Sequence, residues 1–162
     1  MRVGIGLGSN LGTRHEELAS ARIWLRCLAP GVKFSGVYET DAVDCPPGSP
    51  AFLNQVAEIS WNGSLSGLLD LCQAYERSRG RKGVRGKNHP RALDLDLLYA
   101  DEKQTRTARL QLPHPRMGMR RFVMEPLAEI CPERRIPGLA GTVRETAGWL
   151  KRQEGESCQR IG

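Results

Sequence analysis

Apolar residues recur along the chain with two periods, and the changes from one to the other divide it into elements. RVGIGLGSN (residues 2–10) reads as a short buried strand that ends in a turn at Gly8, Ser9 and Asn10. Thr13, with Glu16 three residues on, predicts a capping box that opens a helix. Leu18, Ala21, Leu25 and Leu28 follow at helical spacing, and Pro30-Gly31 stops the run. VKFSGVYET (32–40) alternates, which sets Val32, Phe34 and Tyr38 on one face of a second strand. Pro46, Pro47, Gly48 and Pro50 mark a long loop, after which AFLNQVAEISW (51–61) alternates as a third strand. Ser64 starts a second helix with Leu65, Leu68, Cys72 and Tyr75 on one stripe, closing near Gly80. A basic, glycine-containing loop then leads into the strand ALDLDLLYA (92–100).

The order βαββαβ predicts an α+β domain of ferredoxin-like type, an antiparallel sheet with helices on one face. A short polar hairpin (101–112), the turn LPHPR and C-terminal helices follow. The helices are expected at Arg120–Ile130, interrupted by Pro126, and at Thr142–Leu150. The polar tail after Lys151 is expected to fray. No internal repeat divides the chain, and its 162 residues fit a single domain, 1–162, with a real core.

Composition narrows the partners. Hydrophobic content of 40% and charged content of 26% are those of a soluble globular protein. A net charge of +6 and a pI near 9.4 favour anionic ligands without choosing among them. The five cysteines are scattered with no CxxC spacing, which argues for reduced thiols and against zinc. The N-terminal apolar run is too short for a signal peptide, and none reaches the roughly 18 residues of a membrane span. The expectation is a cytoplasmic monomer that binds neither membrane nor nucleic acid.

The candidate chemistry centres on HPRALDLDLLYA (89–100). Strand alternation sends Asp94 and Asp96 to one side and Leu93, Leu95 and Leu97 to the other. Carboxylates whose α-carbons lie roughly 6.6–6.8 Å apart repel each other unless a cation intervenes. Magnesium suits such hard oxygen ligands, completed by water and substrate phosphates. Alone, the pair also reads as a solvated acidic face. The preceding segment favours the metal: Arg77, Arg79, Arg81, Lys82, Arg85, Lys87 and Arg91 are interspersed with Gly80, Gly83 and Gly86, without one acidic residue. Arginine forks and lysine charge grip phosphate oxygens. Gly4, Gly6 and Gly8 fail the dinucleotide fingerprint, and no P-loop motif occurs, so Gly4 and Gly6 are read as packing glycines. Phe52 and Asn54 share a strand face, a plausible seat for a flat polar heterocycle or simply core. Gln73 and Glu76 form a polar pair on one helix face, readable as solvent-facing. His114, between two prolines, reads as a turn residue or a ligand contact.

These features together resemble one family, the 6-hydroxymethyl-7,8-dihydropterin pyrophosphokinases of the folate pathway. The resemblance runs through GLGSNLG, VYET, FLN, PRALDLDLLY and LPHPRM…RRFVMEPLAEICPE, in order across most of the chain. It implies a ferredoxin-like α+β fold and transfer of pyrophosphate from ATP to the hydroxymethyl oxygen of the pterin, leaving AMP. It places Asp94 and Asp96 as ligands of two Mg2+ ions and Arg81 and Arg91 as catalytic, phosphate-contacting arginines. Gln73, Glu76, Leu97, His114 and Arg120, with the two arginines, fall on or beside the ATP site. Thr40, Val43, Phe52, Asn54 and Phe122 fall on the pterin pocket, with Phe52 and Phe122 sandwiching the ring. Three loops, around residues 9–12, 41–51 and 81–91, would close over the substrates.

The chain departs from the family pattern in the basic loop. Asn88 and His89 stand where an aromatic residue and glycine are usual, and Gly83 replaces an arginine, with Arg85 two residues on. Two rival readings follow: a degenerate member that binds pterin or nucleotide without turnover, and a basic ferredoxin-like RNA-binding module. Three Phe, three Tyr and three Trp, with no RNP1-like segment, speak against the second.

Overall fold

The structure is a computed structural model and describes residues 1–42, 45–80, 92–153, 155 and 157–162. The first half comprises β1 (Arg2–Ser9), α1 (Arg14–Leu28), β2 (Lys33–Phe34), β3 (Tyr38–Thr40), β4 (Phe52–Ser60) and α2 (Leu65–Ser78). Then come β5 (Asp94–Ala100), β6 (Thr105–Arg106), β7 (Gln111–Leu112), a 3-10 turn (Met117–Met119), α3 (Arg121–Ile130), α4 (Val143–Arg152) and β8 (Cys158–Arg160). The fold is mixed α and β around an antiparallel sheet of order β5-β1-β4-β3-β8, with β2 also paired to β4. Strands β6 and β7 form the hairpin expected between 101 and 112.

Alternation gives the sheet two faces. On the first, Val3, Ile5 and Leu7 of β1, Leu53, Ala57 and Ile59 of β4, and Leu95 and Leu97 of β5 pack under α1 and α2. Leu18, Ala21, Leu25, Leu68 and Cys72 are the helical side of this core. Burying each leucine or isoleucine there stabilises the fold by about 1.5–3 kcal/mol relative to exposure. On the second face Val56, Leu98 and Tyr99 meet Val123, Met124 and Leu127 of α3 and Val143, Ala147 and Leu150 of α4. Helices therefore cover both faces, not one as expected. Strand β4 required it, since it is buried at every residue between its two ends and cannot be solvated on either side. The second helical layer stops short of one end of the sheet, where Phe52, Asp94 and Asp96 stay half-buried.

Two irregularities redirect side chains. Residues 32–40 form two strands, not one, because the register with β4 slips by one residue between Phe34↔Ala57 and Tyr38↔Asn54. Ser35 closes this bulge: its Oγ accepts from Val56 N at 3.0 Å and its carbonyl accepts from Gln55 Nε2 at 2.6 Å. Phe34 thus packs against the α1/α2 core, while Tyr38 turns to α3 and donates its hydroxyl proton to Glu129 Oε1 at 2.5 Å. The second irregularity lies in β5, whose pairing jumps from Gly4↔Tyr99 to Ile5↔Leu97. Leu98 and Tyr99 consequently both enter the α3/α4 core. The packing role expected of Gly4 is explicit, since a Cβ there would lie 2.2 Å from Tyr99 Cε1.

Three local expectations are corrected. Thr13 precedes α1 but makes no side-chain cap bond, because its ψ of 71° departs from the extended geometry that aims Oγ at the helix amides. The capping box forms at α4 instead, where Thr142 Oγ1 accepts from Glu145 N at 3.2 Å and Glu145 Oε2 from Thr142 N at 2.7 Å. Helix α3 runs unbroken through Pro126, whose ring is buried. The tail does not simply fray: β8 pairs with the otherwise open edge of β3, and Val37 N donates to Gly162 O at 2.7 Å.

Candidate active site

Strand β1 alternates apolar residues toward α1 and α2 with glycines toward α3 and α4, so its second face is a bare strip of backbone. Gly8 sits at the half-exposed end of that strip, paired with Asp94 of β5 on one side and Asn54 of β4 on the other. Gly6 pairs with Asp96. The two aspartates therefore share a face, as alternation requires, while Leu93, Leu95 and Leu97 are buried in the α1/α2 core. Phe52 and Asn54 lie across Gly8 on that same face. A Cβ on Gly8 would lie 3.4 Å from Asn54 Oδ1 and 3.9 Å from Phe52 Cδ1.

Asn54 is buried, and its Nδ2 donates to Thr40 Oγ1 at 2.8 Å. That bond fixes the amide with Oδ1 beside Gly8, an acceptor suited to a ring N–H. Thr40 is itself buried and pairs with Phe52. Phe122 stands half-buried in the first turn of α3, on the same side of the sheet, with the Arg120 guanidinium 5.3 Å from its ring centre. The loop ending at Ala51 is tied to the β1–α1 turn. Arg14 Nη1 donates to Ala51 O at 2.7 Å and to Glu39 Oε2 at 3.2 Å, and Asn10 Nδ2 to Pro50 O at 3.4 Å.

The residues expected at the nucleotide gather around the outer edge of β5. Glu76 is not solvent-facing: it is 1% exposed, and its Oε1 accepts from Leu95 N at 2.7 Å. The helical stripe of Leu68, Leu69 and Cys72 carries it inward. Gln73 is half-buried one turn earlier. Burial first, then the Glu76 and Asp96 carboxylates, push the Cys72 thiol up to about 12, so this cysteine is inert packing. The Leu97 side chain belongs to the core, which leaves only its backbone for a ligand. His114 N donates to Leu98 O at 2.7 Å, closing a second point on the β5 edge. Its Nδ1 accepts from Arg116 N at 3.2 Å, which assigns the ring proton to Nε2. Burial, then Arg120 and Arg116, lower its pKa to about 4 against the opposing pull of Asp94. His114 is thus a neutral donor between a carboxylate and two arginines.

Val43, Arg81 and Arg91, together with Gly83, Asn88 and His89, lie outside the described residues. Every other expected site residue is described. Thr40, Phe52, Asn54, Asp94 and Asp96 share one sheet face, Phe122 and Arg120 stand at the start of α3 on that side, and Glu76, Leu97 and His114 occupy the β5 edge, with Gln73 half-buried one turn before Glu76 on α2. Sequence reading missed three contributors: Gly8 as the bare floor, and Asn10 and Arg14 as loop anchors. The GSN turn was the available signal for the first two; nothing local marked Arg14.

Asp94 and Asp96 suit a metal of particular kind. No group of three or more His, Cys, Asp or Glu residues able to hold a metal occurs among the described residues. Two carboxylates beside bare backbone fit Mg2+, which takes one or two carboxylates and fills its sphere with water and substrate phosphates. No helix among the described residues is long and apolar enough to cross a membrane.

Comparison with known proteins gives the family. Residues 4–132 match the family model described as 7,8-dihydro-6-hydroxymethylpterin-pyrophosphokinase. The chain is 40% identical over 132 residues to a Bacillus subtilis protein named 2-amino-4-hydroxy-6-hydroxymethyldihydropteridine pyrophosphokinase, covering 80% of this chain and 77% of that one. A Methylorubrum extorquens protein of the same name is 37% identical over 156 residues, covering 92% and 93%. Among solved structures, wild-type Plasmodium falciparum HPPK-DHPS with pterin and p-hydroxybenzoate superposes with a TM-score of 0.66 at 12% identity. That match takes in 93% of this chain and 43% of the longer one, and it speaks for the fold alone. The chain belongs to the 7,8-dihydro-6-hydroxymethylpterin pyrophosphokinase family.

Proposed function

We propose that this protein transfers the β,γ-diphosphate of ATP to the hydroxymethyl oxygen of 6-hydroxymethyl-7,8-dihydropterin, in folate biosynthesis. A bond forms between that oxygen and Pβ, the Pα–O–Pβ bridge breaks on the Pβ side, AMP departs, and the hydroxyl proton is released. One observation carries the reading: Asp94 and Asn54 flank Gly8 on adjacent strands, so a phosphate-side group and a heterocycle-side group face one floor.

The roles follow from chemistry. Asn54 Oδ1 and the Thr40 and Val43 region read the pterin edge, and Phe52 and Phe122 hold its faces. Gln73, Leu97, His114 and Arg120 surround the nucleotide, with the His114 Nε2–H donating to a phosphate oxygen. Arg81 and Arg91 are assigned to the phosphates. Asp94 and Asp96 would hold two Mg2+ ions, which would supply neutralisation of phosphate charge when bound. Such transfer asks for alignment and charge stabilisation more than for a strong base. We read the core as ferredoxin-like, a reading supported by the order β5-β1-β4-β3, and the chain as one domain acting as a cytoplasmic monomer.

The test is AMP formation from ATP, Mg2+ and the hydroxymethyl-dihydropterin. Stoichiometric AMP with each pterin diphosphate is expected. Pterin binding by calorimetry with no AMP above background would sink the enzyme and leave a binding protein.

A further inference from the structure

Strand β5 carries the aspartate pair at the edge of the sheet. Its inner edge pairs with β1, and among the described residues no strand covers its outer edge. An edge strand is the most easily displaced part of a sheet, and mutual repulsion between Asp94 and Asp96 favours splaying at that place. Two bonds replace the missing neighbour strand: Leu98 O accepts from His114 N, and Leu95 N donates to Glu76 Oε1, each at 2.7 Å. Leu95 stands between the two aspartates, so whatever fixes its amide fixes the backbone of both.

Glu76 is built for that task. It is 1% exposed on the face of α2 that packs under the sheet, two turns beyond Leu68 and Leu69. A buried carboxylate aimed at a strand amide costs desolvation that leucine would not, so packing alone does not account for the residue. We infer that Glu76 is a positioning residue, acting through the Leu95 amide to set the spacing and direction of the Asp94 and Asp96 carboxylates. This rests on the reading that those aspartates hold Mg2+. Supporting groups behind metal ligands typically change affinity or activity by about 10–100-fold when removed.

Two substitutions separate the hydrogen bond from the charge. Glu76→Gln keeps an acceptor oxygen at the same reach, and Glu76→Ala removes it. Three readouts apply: the Mg2+ concentration giving half-maximal AMP formation, the calorimetric affinity for Mg2+ with α,β-methylene ATP (which cannot transfer), and hydrogen exchange of the Leu95 amide in the protein without ligands. Glu76→Ala is expected to raise the Mg2+ midpoint by about 10–100-fold, weaken the calorimetric binding in step and speed Leu95 exchange. Glu76→Gln is expected to restore all three to within roughly 3-fold of the parent. An unchanged Mg2+ midpoint in Glu76→Ala overturns the inference. So does a Glu76→Gln protein with slow Leu95 exchange but a midpoint as poor as the alanine variant, which would assign the carboxylate charge to the ligand itself. Should Glu76→Ala not fold, Glu76→Gln decides alone: a midpoint within roughly 3-fold of the parent with slow Leu95 exchange upholds the inference, and one raised about 10-fold or more with slow Leu95 exchange overturns it, about 10-fold being the least loss expected of a supporting group. Unaltered Mg2+ dependence in Asp94→Asn and Asp96→Asn would instead refute the metal reading, whatever Glu76 does.

Discussion

Gly4 and Gly8 stand two turns of the pleat apart on one face of β1, and the structure assigns them opposite duties that alanine can separate. At Gly4 the added Cβ would lie 2.2 Å from Tyr99 Cε1 and 2.7 Å from Cδ1. Carbon atoms rest at about 3.5–4.0 Å, so the ring must retreat by more than about 1 Å. It has nowhere to go. Tyr99 is fully buried, its hydroxyl donates to the buried Glu58 carboxylate, and Glu58 is paired with Arg134 at 2.7 Å. Overpacking of about 1–3 kcal/mol, with strain on a buried charged hydrogen bond, gives roughly 3–5 kcal/mol of destabilisation for Gly4→Ala. In a chain of this size that lowers the melting temperature by roughly 6–20 °C.

At Gly8 the nearest atom is Asn54 Oδ1 at 3.4 Å, an ordinary contact, and alanine is the better strand residue by up to about 1 kcal/mol. Gly8→Ala should therefore melt within about 2–3 °C of the parent. Its methyl group occupies the floor of the proposed pterin seat and should weaken pterin binding by roughly 10-fold or more, with nucleotide affinity unchanged. Scanning calorimetry and binding titrations on both variants decide the matter. A Gly4→Ala protein as stable as the parent refutes the close-packing argument. A Gly8→Ala protein with normal pterin affinity refutes the location of the pterin.

Asp94→Asn and Asp96→Asn should each depress turnover by orders of magnitude while melting normally, because both side chains are half-buried and, in the proposed function, serve a ligand and not the core; steady-state assays with calorimetry test this. His114, lowered to about 4, should titrate well below 6.5 in an NMR experiment on the ligand-free protein. The unfolded chain takes up that proton first, so the stability His114 contributes is complete above about 6.5 and lost as pH falls toward 4. His114→Gln should flatten the fall in melting temperature over that window, and an unchanged pH profile would show the ring to be solvated. Glu129→Gln should loosen the C-terminal strand, since Glu129 accepts from Gly36 N at 2.8 Å and Tyr38 Oη at 2.5 Å and pairs with Arg160 at 3.1 Å. A loss of about 1–3 kcal/mol with faster exchange at Ile161 is the expected reading.

Most of the element order, the common side of Asp94 and Asp96, and that of Phe52 and Asn54 were legible because strand period is two and holds wherever pairing is regular. The failures fall where it is not. Val32, Phe34 and Tyr38 look like one face in the sequence, yet the bulge at Ser35 sends Phe34 and Tyr38 to opposite sides. A bulge adds a residue without altering composition, so hydrophobic pattern cannot reveal it; Gly36 was the one local hint. Glu76 failed for another reason. Its i, i+3 partner Gln73 suggested a wet polar face, whereas the burial of α2 is set by where β5 lies, a long-range fact.

The two register slips also explain how one sheet serves packing and chemistry at once. Strand β1 presents Gly4, Gly6 and Gly8 to its second face; the slip in β5 swings Tyr99 over Gly4 and Leu98 lies against Gly6, while Gly8 has only Asn54 and Phe52 near it. The slip between β2 and β3 turns Tyr38 toward α3, where Glu129 binds it together with Gly36. Tyr99 anchors the α3/α4 layer at the Gly4 end, and Tyr38, level with Asn54 and Gly8, anchors it two strands away, so Gly8 itself is left half-open between Asp94 and Asn54. Had either strand run in uniform register, Tyr99 or Tyr38 would face the other core. The layer carrying Arg120 and Phe122 would then lose the contacts that fix its distance from Phe52. Deleting Leu98, which removes the β5 slip and a buried side chain of the α3/α4 core, should accordingly lower both stability and pterin affinity, whereas Gly8→Ala lowers the second alone.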